Sequence, residues 1–421
     1  MSQIRITAGT GQQRIAFCGT RGLPANYGGF ETAVDQITRR FVEAGIECEV
    51  FCRLSSYSET RETHRGRRLT YVRGSRRRSL ETFVAAIQTG WHLWRHRSEY
   101  SHVFWFNNAN LPGIIMTRLA GIPLSVNTDG LEWKRSKWSW PFKAYYYLSS
   151  FLISAVCPTL ISDSRGIQDY YRRRFFKRTC FIPYGTPAVA AVSEREEHRI
   201  LTGLGLEPGK YFLQITRIEP DNLPVKVARA FQESELGRRG YQMVFVGYRD
   251  ATPYAQRLVA YSGAANIQVR EAIYDQAVLA VLRRNCFCYV HGNRVGGTNP
   301  ALLEAMATCP RVMAIDCKFS REVLGPDGVY FPIEGIADVF RSVCRAKDQS
   351  ATLRRRVAER YQWPAVAASY LQLAAGIPAE YVPQPMAAPK PNLARQLPVS
   401  LVRVKAAAKE EETAAADRVA V

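Results

Sequence analysis

The sequence predicts an α/β chain built from two doubly wound, mostly parallel sheets. Three observations carry this. Residues 14–18 (RIAFC) form a short apolar run, followed by a glycine-bearing loop, a helical stretch from Phe30 to Ala44 and a second apolar run from Glu47 to Cys52. Strands that are apolar throughout and joined by a helix describe a βαβ unit whose sheet is covered on both faces. The pattern then restarts with Tyr211 to Thr216, helical Val225 to Phe231 and Met243 to Val246. Finally, a chain of 421 residues exceeds what one hydrophobic core usually serves.

Taken in order, further strands are expected at Thr70–Val72, Val103–Phe106, Leu124–Asn127, Thr159–Ser162 and Cys180–Pro183, with helices at Leu80–His96 and Ser164–Arg174. In the second half, helices at Pro253–Tyr261 and Gln276–Arg284 alternate with strands at Ile267–Val269, Cys286–Val290 and Val312–Ile315. This divides the chain into an arm (1–13), a first domain (14–190), a second domain (205–360) and a helical segment (361–376) expected to cross back to the first. A hinge is expected near residues 186–208. Residues 377–421 are rich in Pro and Ala and poor in core formers, which predicts a disordered tail or partner segment.

Hydrophobic residues make up 47% and charged residues 22%, ordinary for a globular protein. The net charge of +20 is not ordinary. It implies an anionic partner: nucleotide or sugar phosphates, an acidic membrane surface, or nucleic acid. The ten cysteines lie mostly in apolar runs and form no Cys-x-x-Cys pair, so buried free thiols in a reducing compartment are expected, and no zinc site. No signal-peptide core and no membrane-spanning run is visible.

The chain's most informative stretch is Tyr289–Ala307 (YVHGNRVGGTNPALLEAMA). It reads as a strand, a glycine-rich loop and a helix. Asn299 suits the N-cap, where its side chain accepts from an orphan amide, and Pro300 suits the first helical position, where no amide is needed. Gly296 and Gly297 allow close backbone approach, Thr298 offers a hydroxyl, and the helix start presents amides and a positive dipole end to an anion. Glu304, one turn in, suits hydrogen bonding to sugar or ribose hydroxyls; a capped core helix with a solvated glutamate fits the same residues. His291 can touch ligand or simply end its strand.

The first loop, Gly19-Thr-Arg-Gly22, is not G-x-G-x-x-G, and Arg53 stands where a nicotinamide site wants an acid, which disfavours a dehydrogenase. Gly28 and Gly29, just before the first helix, can hold a phosphate or acceptor through their amides, or form a plain tight turn. Arg217 ends the first strand of the second domain, where doubly wound folds place ligands; a guanidinium there can fork onto a diphosphate, and a plain surface arginine fits the same position. Asp129 ends another strand and can orient a hydroxyl or form an Asx-turn.

Two basic regions stand apart. One holds Arg61, Arg65, Arg67, Arg68, Arg73, Arg76, Arg77 and Arg78. The other, Trp133-Lys-Arg-Ser-Lys-Trp-Ser-Trp-Pro-Phe-Lys143, interleaves cations with aromatics ahead of an apolar helix. That combination suits an anionic bilayer interface, or a domain helix with a solvated basic edge. No nucleic-acid-binding motif supports RNA.

Four segments carry a resemblance: CGTRGLPANYGGFET, VNTDGLEWKRSKW, HGNRVGGTNPALLEAMA and SREVLGPDGVYF. Together, over about Arg14 to Gln372, they resemble a subgroup of family 4 glycosyltransferases of bacterial surface-polysaccharide assembly, with a DUF1972-like first domain. The resemblance implies the GT-B fold, two Rossmann-like domains facing a cleft, with the nucleotide-sugar donor on the second and the acceptor on the first. It assigns Glu304 to the ribose, Arg217 to the diphosphate, Gly28 and Gly29 to the loop beneath the phosphates, and Arg270–Tyr274, with Ile273, to the nucleotide base. Gly297, Thr298 and Asn299 fall beside the donor. Asp129 occupies the place where many relatives carry a histidine. Two positions depart from the family: Gly296 replaces the first glutamate of Glu-x7-Glu, and Asn222 replaces a lysine.

What the resemblance implies is transfer of a hexose or deoxyhexose, rhamnose included, to a glycan or polyprenyl-linked acceptor, generally with retention. No metal and no cofactor beyond the donor sugar nucleotide is expected. Arg217 and the helix start would stabilise the leaving diphosphate, with Asp129 and Glu304 completing the reacting centre. The expected location is cytoplasmic, peripheral on an anionic membrane, with no nucleic-acid partner. A catalytically impaired scaffold of the same fold is the alternative.

Overall fold

Two parallel sheets follow one another along the chain in the computed structural model. Residues 13–382 are described, apart from 26–27, 76, 78–79, 129, 187, 248–251 and 264–265. The first sheet holds β1 (Arg14–Cys18), β2 (Cys48–Arg53), β3 (Thr63–His64), β4 (Arg67–Val72), β5 (Tyr100–Phe106), β6 (Leu124–Asn127), β7 (Thr159–Ser162) and β8 (Cys180–Phe181). Their spatial order is β3-β4-β2-β1-β5-β6-β7-β8, parallel except where short β3 turns back on β4. The crossovers are helical: α1 (Gly29–Glu43), α2 (Glu81–Arg95), α3 (Leu111–Leu119), α4 (Trp140–Val156) and α5 (Arg165–Arg174).

Alternation along the strands sends neighbouring side chains to opposite faces. Ile15, Phe17, Val50, Phe104 and Phe106 therefore share a core with Ala33, Val34, Ile37 and Phe41 of α1. Ala16, Cys18, Phe51, Val103 and Trp105 pack under α2, α3, α4 and α5 on the other side.

The expected hinge contains a helix, α6 (Glu194–Gly203). Ser193 caps it by accepting from the Glu196 amide at 3.3 Å, and Glu194, Glu196 and Glu197 complement the dipole in its first turn. Leu201 is its buried anchor.

The second sheet holds β9 (Tyr211–Ile215), β10 (Gln242–Val246), β11 (Ile267–Arg270), β12 (Cys288–His291), β13 (Val312–Ile315) and β14 (Val329–Phe331), in the order β11-β10-β9-β12-β13-β14. Its helices are α7 (Pro224–Glu233), α8 (Pro253–Val259), α9 (Gln276–Asn285), α10 (Pro300–Thr308), α11 (Lys318–Leu324), α12 (Ile336–Val343) and α13 (Ser350–Arg360). Every neighbouring pair in this sheet is parallel.

The last helix, α14 (Trp363–Ala374), lies on the first sheet. Tyr370 stacks on Phe106, and its hydroxyl accepts from Asn127 Nδ2 at 2.7 Å. The chain beyond Ile377 does not leave the body at once, contrary to the tail expected from its composition. Ala379 and Tyr381 are buried, and the Tyr381 amide donates to the Phe181 carbonyl at 2.9 Å. Two apolar anchors are enough to seat this stretch; residues 383–421 of the expected tail lie outside the described residues. All ten thiols are free, seven of them buried. Burial pushes the Cys52 thiol up to about 12, which makes it inert.

Candidate functional site

In doubly wound sheets a ligand crevice opens at the carboxyl ends of the two strands between which the chain order reverses. In the second sheet these are β9 and β12, and the loops that follow them carry the candidates. Arg217 stands in the turn after β9, its side chain 49% exposed, with Nη1 3.8 Å from Glu219 Oε1. Asn222, where the resemblance would place a lysine, is buried and makes a structural contact. Its Nδ2 donates to the Arg217 carbonyl at 2.8 Å, and its own carbonyl accepts from Gln214 Nε2 at 2.9 Å. These bonds fix the turn that presents Arg217.

The loop after β12 returns to the same turn. The Arg294 amide donates to the Asp221 carbonyl at 3.1 Å, and Arg294 Nη2 lies 3.4 Å from Asp221 Oδ1. A second, half-exposed guanidinium thus reaches the segment where Asn222 supplies no charge. Asn299 caps α10 as expected, accepting from the Ala301 amide at 2.9 Å, with Pro300 beside it. His291 is 4% exposed at the end of β12. Burial pushes its imidazole down to about 3, so it is neutral at ordinary pH.

Glu304 does not point into open solvent. Its carboxylate pairs with Arg283 of α9, whose side chain is only 6% exposed, while Glu304 itself is 22% exposed. Arg270 spends its guanidinium on the Leu204 carbonyl at 2.5 Å and on Gln268, beside the linker. Its burial pulls its pKa below the ordinary arginine value. Ile273 packs half-buried against the core.

The carboxyl edge of the first sheet faces this loop directly. A Cβ built on Gly29 would lie 3.3 Å from Pro300 Cγ, so the start of α1 abuts the start of α10. Gly28 is the extended residue just ahead of α1, and the buried Glu31 in the first turn accepts from the Arg21 amide at 2.9 Å. A Cβ on Gly297 would lie 1.7 Å from Asp163 Oδ1, and Thr298 Oγ1 donates to the Asp163 carbonyl at 2.5 Å. Asp129 lies outside the described residues; its neighbour Gly130 stands against Gly296, where an added Cβ would be 3.0 Å from Cα.

Part of the Trp133–Lys143 segment, read either as a bilayer-facing patch or as a solvated basic edge, forms a joint between the two units. Ser136 donates through its amide (2.8 Å) and its hydroxyl (3.0 Å) to Asp221 Oδ2. Lys137 lies 3.1 Å and Arg135 3.8 Å from the carboxylate of Glu219. Trp133 is surrounded by Tyr147, Tyr170 and Phe175, and Trp138 stacks on Phe142 while donating to Glu132. Opposite charge across the seam and aromatic packing beneath it absorb residues that in isolation read as an interfacial motif. Trp140 is the tryptophan of this segment that remains largely exposed.

The fold therefore gathers Gly28, Gly29, Gly297, Thr298 and Asn299 along one seam, with Arg217 on the same edge and His291 beneath. It places Glu304 against α9 and the Arg270 guanidinium at the linker. Sequence reasoning missed Glu219, Asp221, Asp163, Arg283 and Arg294. The only local signal among them is Arg294, a cation inside the glycine loop.

Residues 12–187 match the family model described as a domain of unknown function, DUF1972. No curated protein matches the sequence. Among solved structures, the chain is similar to a sucrose-phosphate synthase (tll1590) from Thermosynechococcus elongatus, at 17% identity and a TM-score of 0.70, covering 86% of this chain and 98% of that one. It is also similar to Anabaena Alr3699/HepE in complex with UDP and glucose, at 13% identity and a TM-score of 0.66, covering 87% and 100%. An α,α-trehalose-phosphate synthase (UDP-forming) from Burkholderia vietnamiensis is similar at 12% identity and 0.65, covering 86% and 97%. These likenesses run over both units and their mutual arrangement, and on them the chain has the GT-B fold.

Proposed function

We propose that the chain is a glycosyltransferase that uses a nucleoside-diphosphate sugar as donor. The observation that carries this reading is the seam itself: the helix mouth at Asn299 abuts the Gly28–Gly29 start of α1 where two doubly wound sheets face each other, with the exposed Arg217 on the same sheet edge. Helix-end amides and guanidinium groups there suit a diphosphate, whose developing charge is what a transferase must stabilise. The likeness to a trehalose-phosphate synthase described as UDP-forming and to a structure seen with UDP and glucose supports a nucleotide sugar as partner.

In this reading Arg217 holds the diphosphate and Arg294 supplies the second positive charge that Asn222 cannot. The peptide groups of Arg270–Ile273 face the base, because the Arg270 guanidinium is already engaged. Glu304, oriented by Arg283, meets the ribose, and Asp129 positions the acceptor hydroxyl. Charge neutralisation by arginines and amides lets transfer proceed without a metal. The transferred group is a hexose or deoxyhexose, delivered with retention to a glycan or polyprenyl-linked acceptor of surface polysaccharide at the cytoplasmic face of the membrane.

The test is release of nucleoside diphosphate from a panel of sugar nucleotides in the presence of EDTA. Arg217→Ala should lower turnover about 10²-fold or more while leaving the melting temperature unchanged. Wild-type levels of release by that variant would remove the reading. A second reading, a donor-binding scaffold without turnover, is favoured by Glu304's engagement with Arg283 and by Gly296 in place of a glutamate. Saturable donor binding with no product from any acceptor would select it.

A further inference from the structure

We infer that the outward face of α2 is a docking surface for an anionic lipid bilayer. The inner face of this helix is fully used: Ala85, Ala86, Thr89, Gly90 and Leu93 are buried. Its outer face is not what a solvated helix carries. Leu80, just before it, and Phe83, Ile87, Trp91 and Trp94 are all exposed, Trp91 by 55%. Their spacing of three, four, four and three residues sets them in one stripe along the helix. Among the described residues the second unit, from Tyr211 to Arg360, exposes only Val259 and Tyr274 as large hydrophobics, so the stripe is a local feature of the first unit.

Charge says what covers it. Exposed Arg73 and Arg77 precede the stripe, and exposed Arg95 and Arg97 follow it. The acids nearby are engaged: Glu81 accepts from the Ser55 hydroxyl, and Glu99 contacts His96 at 2.9 Å and Arg14 at 3.1 Å. Tryptophans and aliphatics flanked by arginines, with both Glu81 and Glu99 of this segment engaged, match an acyl–headgroup boundary carrying negative lipid. A soluble partner or second copy would need its own acidic, apolar groove. On the same side of the sheet, with α3 between, α4 exposes Leu148 and Phe151, which broadens the face. The surface is distinct from the Trp133–Lys143 joint, and the inference stands apart from the transfer reading because lipid binding requires neither donor nor acceptor.

The experiment is sedimentation of the full chain with vesicles of phosphatidylcholine alone or mixed with phosphatidylglycerol. Wild type should bind the mixed vesicles about tenfold or more tightly than the neutral ones, with affinity falling as salt rises. Tryptophan emission should shift to shorter wavelength on binding. Trp91→Ser/Trp94→Ser should weaken binding about tenfold at an unchanged melting temperature, because both side chains are exposed. Arg73→Gln/Arg77→Gln/Arg95→Gln/Arg97→Gln should abolish the preference for anionic vesicles. Unaltered binding by the tryptophan variant overturns the inference, as does no binding by wild type. A wild-type dimer in light scattering that the tryptophan variant dissociates also overturns it, assigning the stripe to a second copy.

Discussion

Gly297 rests against Asp163: a Cβ at Gly297 would sit 1.7 Å from the Asp163 carboxylate, across the seam between the two units. Asp163 Cγ and Oδ2 would also lie within 2.5 Å of that Cβ, and Asp163 is buried, so its whole carboxyl group would have to move. Gly297→Ala should therefore wedge the seam open and displace the α10 mouth from the first unit. Misplacement by about an ångström costs around 10²-fold in rate, so turnover should fall by that order while each unit stays folded. Small-angle scattering checks the opening; an unchanged radius of gyration together with unchanged turnover would refute it.

Arg294 enters the site through the fold alone. If it supplies the charge missing at Asn222, Arg294→Ala should weaken nucleoside-diphosphate binding about tenfold, the scale of one lost hydrogen bond to a charged group. Titration calorimetry reads this, and Arg294→Lys should restore part of the affinity. Equal affinity in all three proteins would assign Arg294 to the Asp221 turn only.

The Arg283–Glu304 pair makes a separate, structural prediction. Removing one member leaves a largely buried charge without its partner, so Glu304→Gln or Arg283→Leu should each cost about 3 kcal/mol. Replacing both with apolar residues should recover most of that loss, which a double-mutant cycle in urea would measure. Additive losses would mean the two side chains do not depend on each other.

Acid should destabilise the protein before its carboxylates titrate. Burial holds His102 down to about 4 and His291 to about 3, whereas an unfolded histidine titrates near about 6.5. Above that value neither state is protonated and the two histidines have no effect on stability. As pH falls from about 6.5 towards 5, the unfolded chain gains protons that the folded chain does not. Stability should drop by up to about 1.4 kcal/mol per pH unit for each histidine. Urea midpoints across this window check the slope, which His291→Asn should make shallower. A flat profile would show that both imidazoles protonate within the fold.

Much of the architecture was legible in the chain itself. Runs such as Ile15–Cys18 and Met243–Val246 are apolar at every position, as strands of a sheet covered on both faces are, and helical stretches lie between them. The N-cap at Asn299 was legible for the same reason: capping is local chemistry, decided within three residues. The Ile377–Val382 stretch, which has no such signature, was read as tail; α6 does carry one, Ser193 with Glu196, which the expectation of a hinge passed over. What only the tertiary structure decided is pairing. Arg135, Ser136 and Lys137 read as an interfacial motif until Glu219 and Asp221, more than eighty residues away, were placed opposite them. Glu304 met Arg283, and Arg294 met Asp221, for the same physical reason. A charged side chain's partner is set by distance in space, and sequence separation carries no record of that distance.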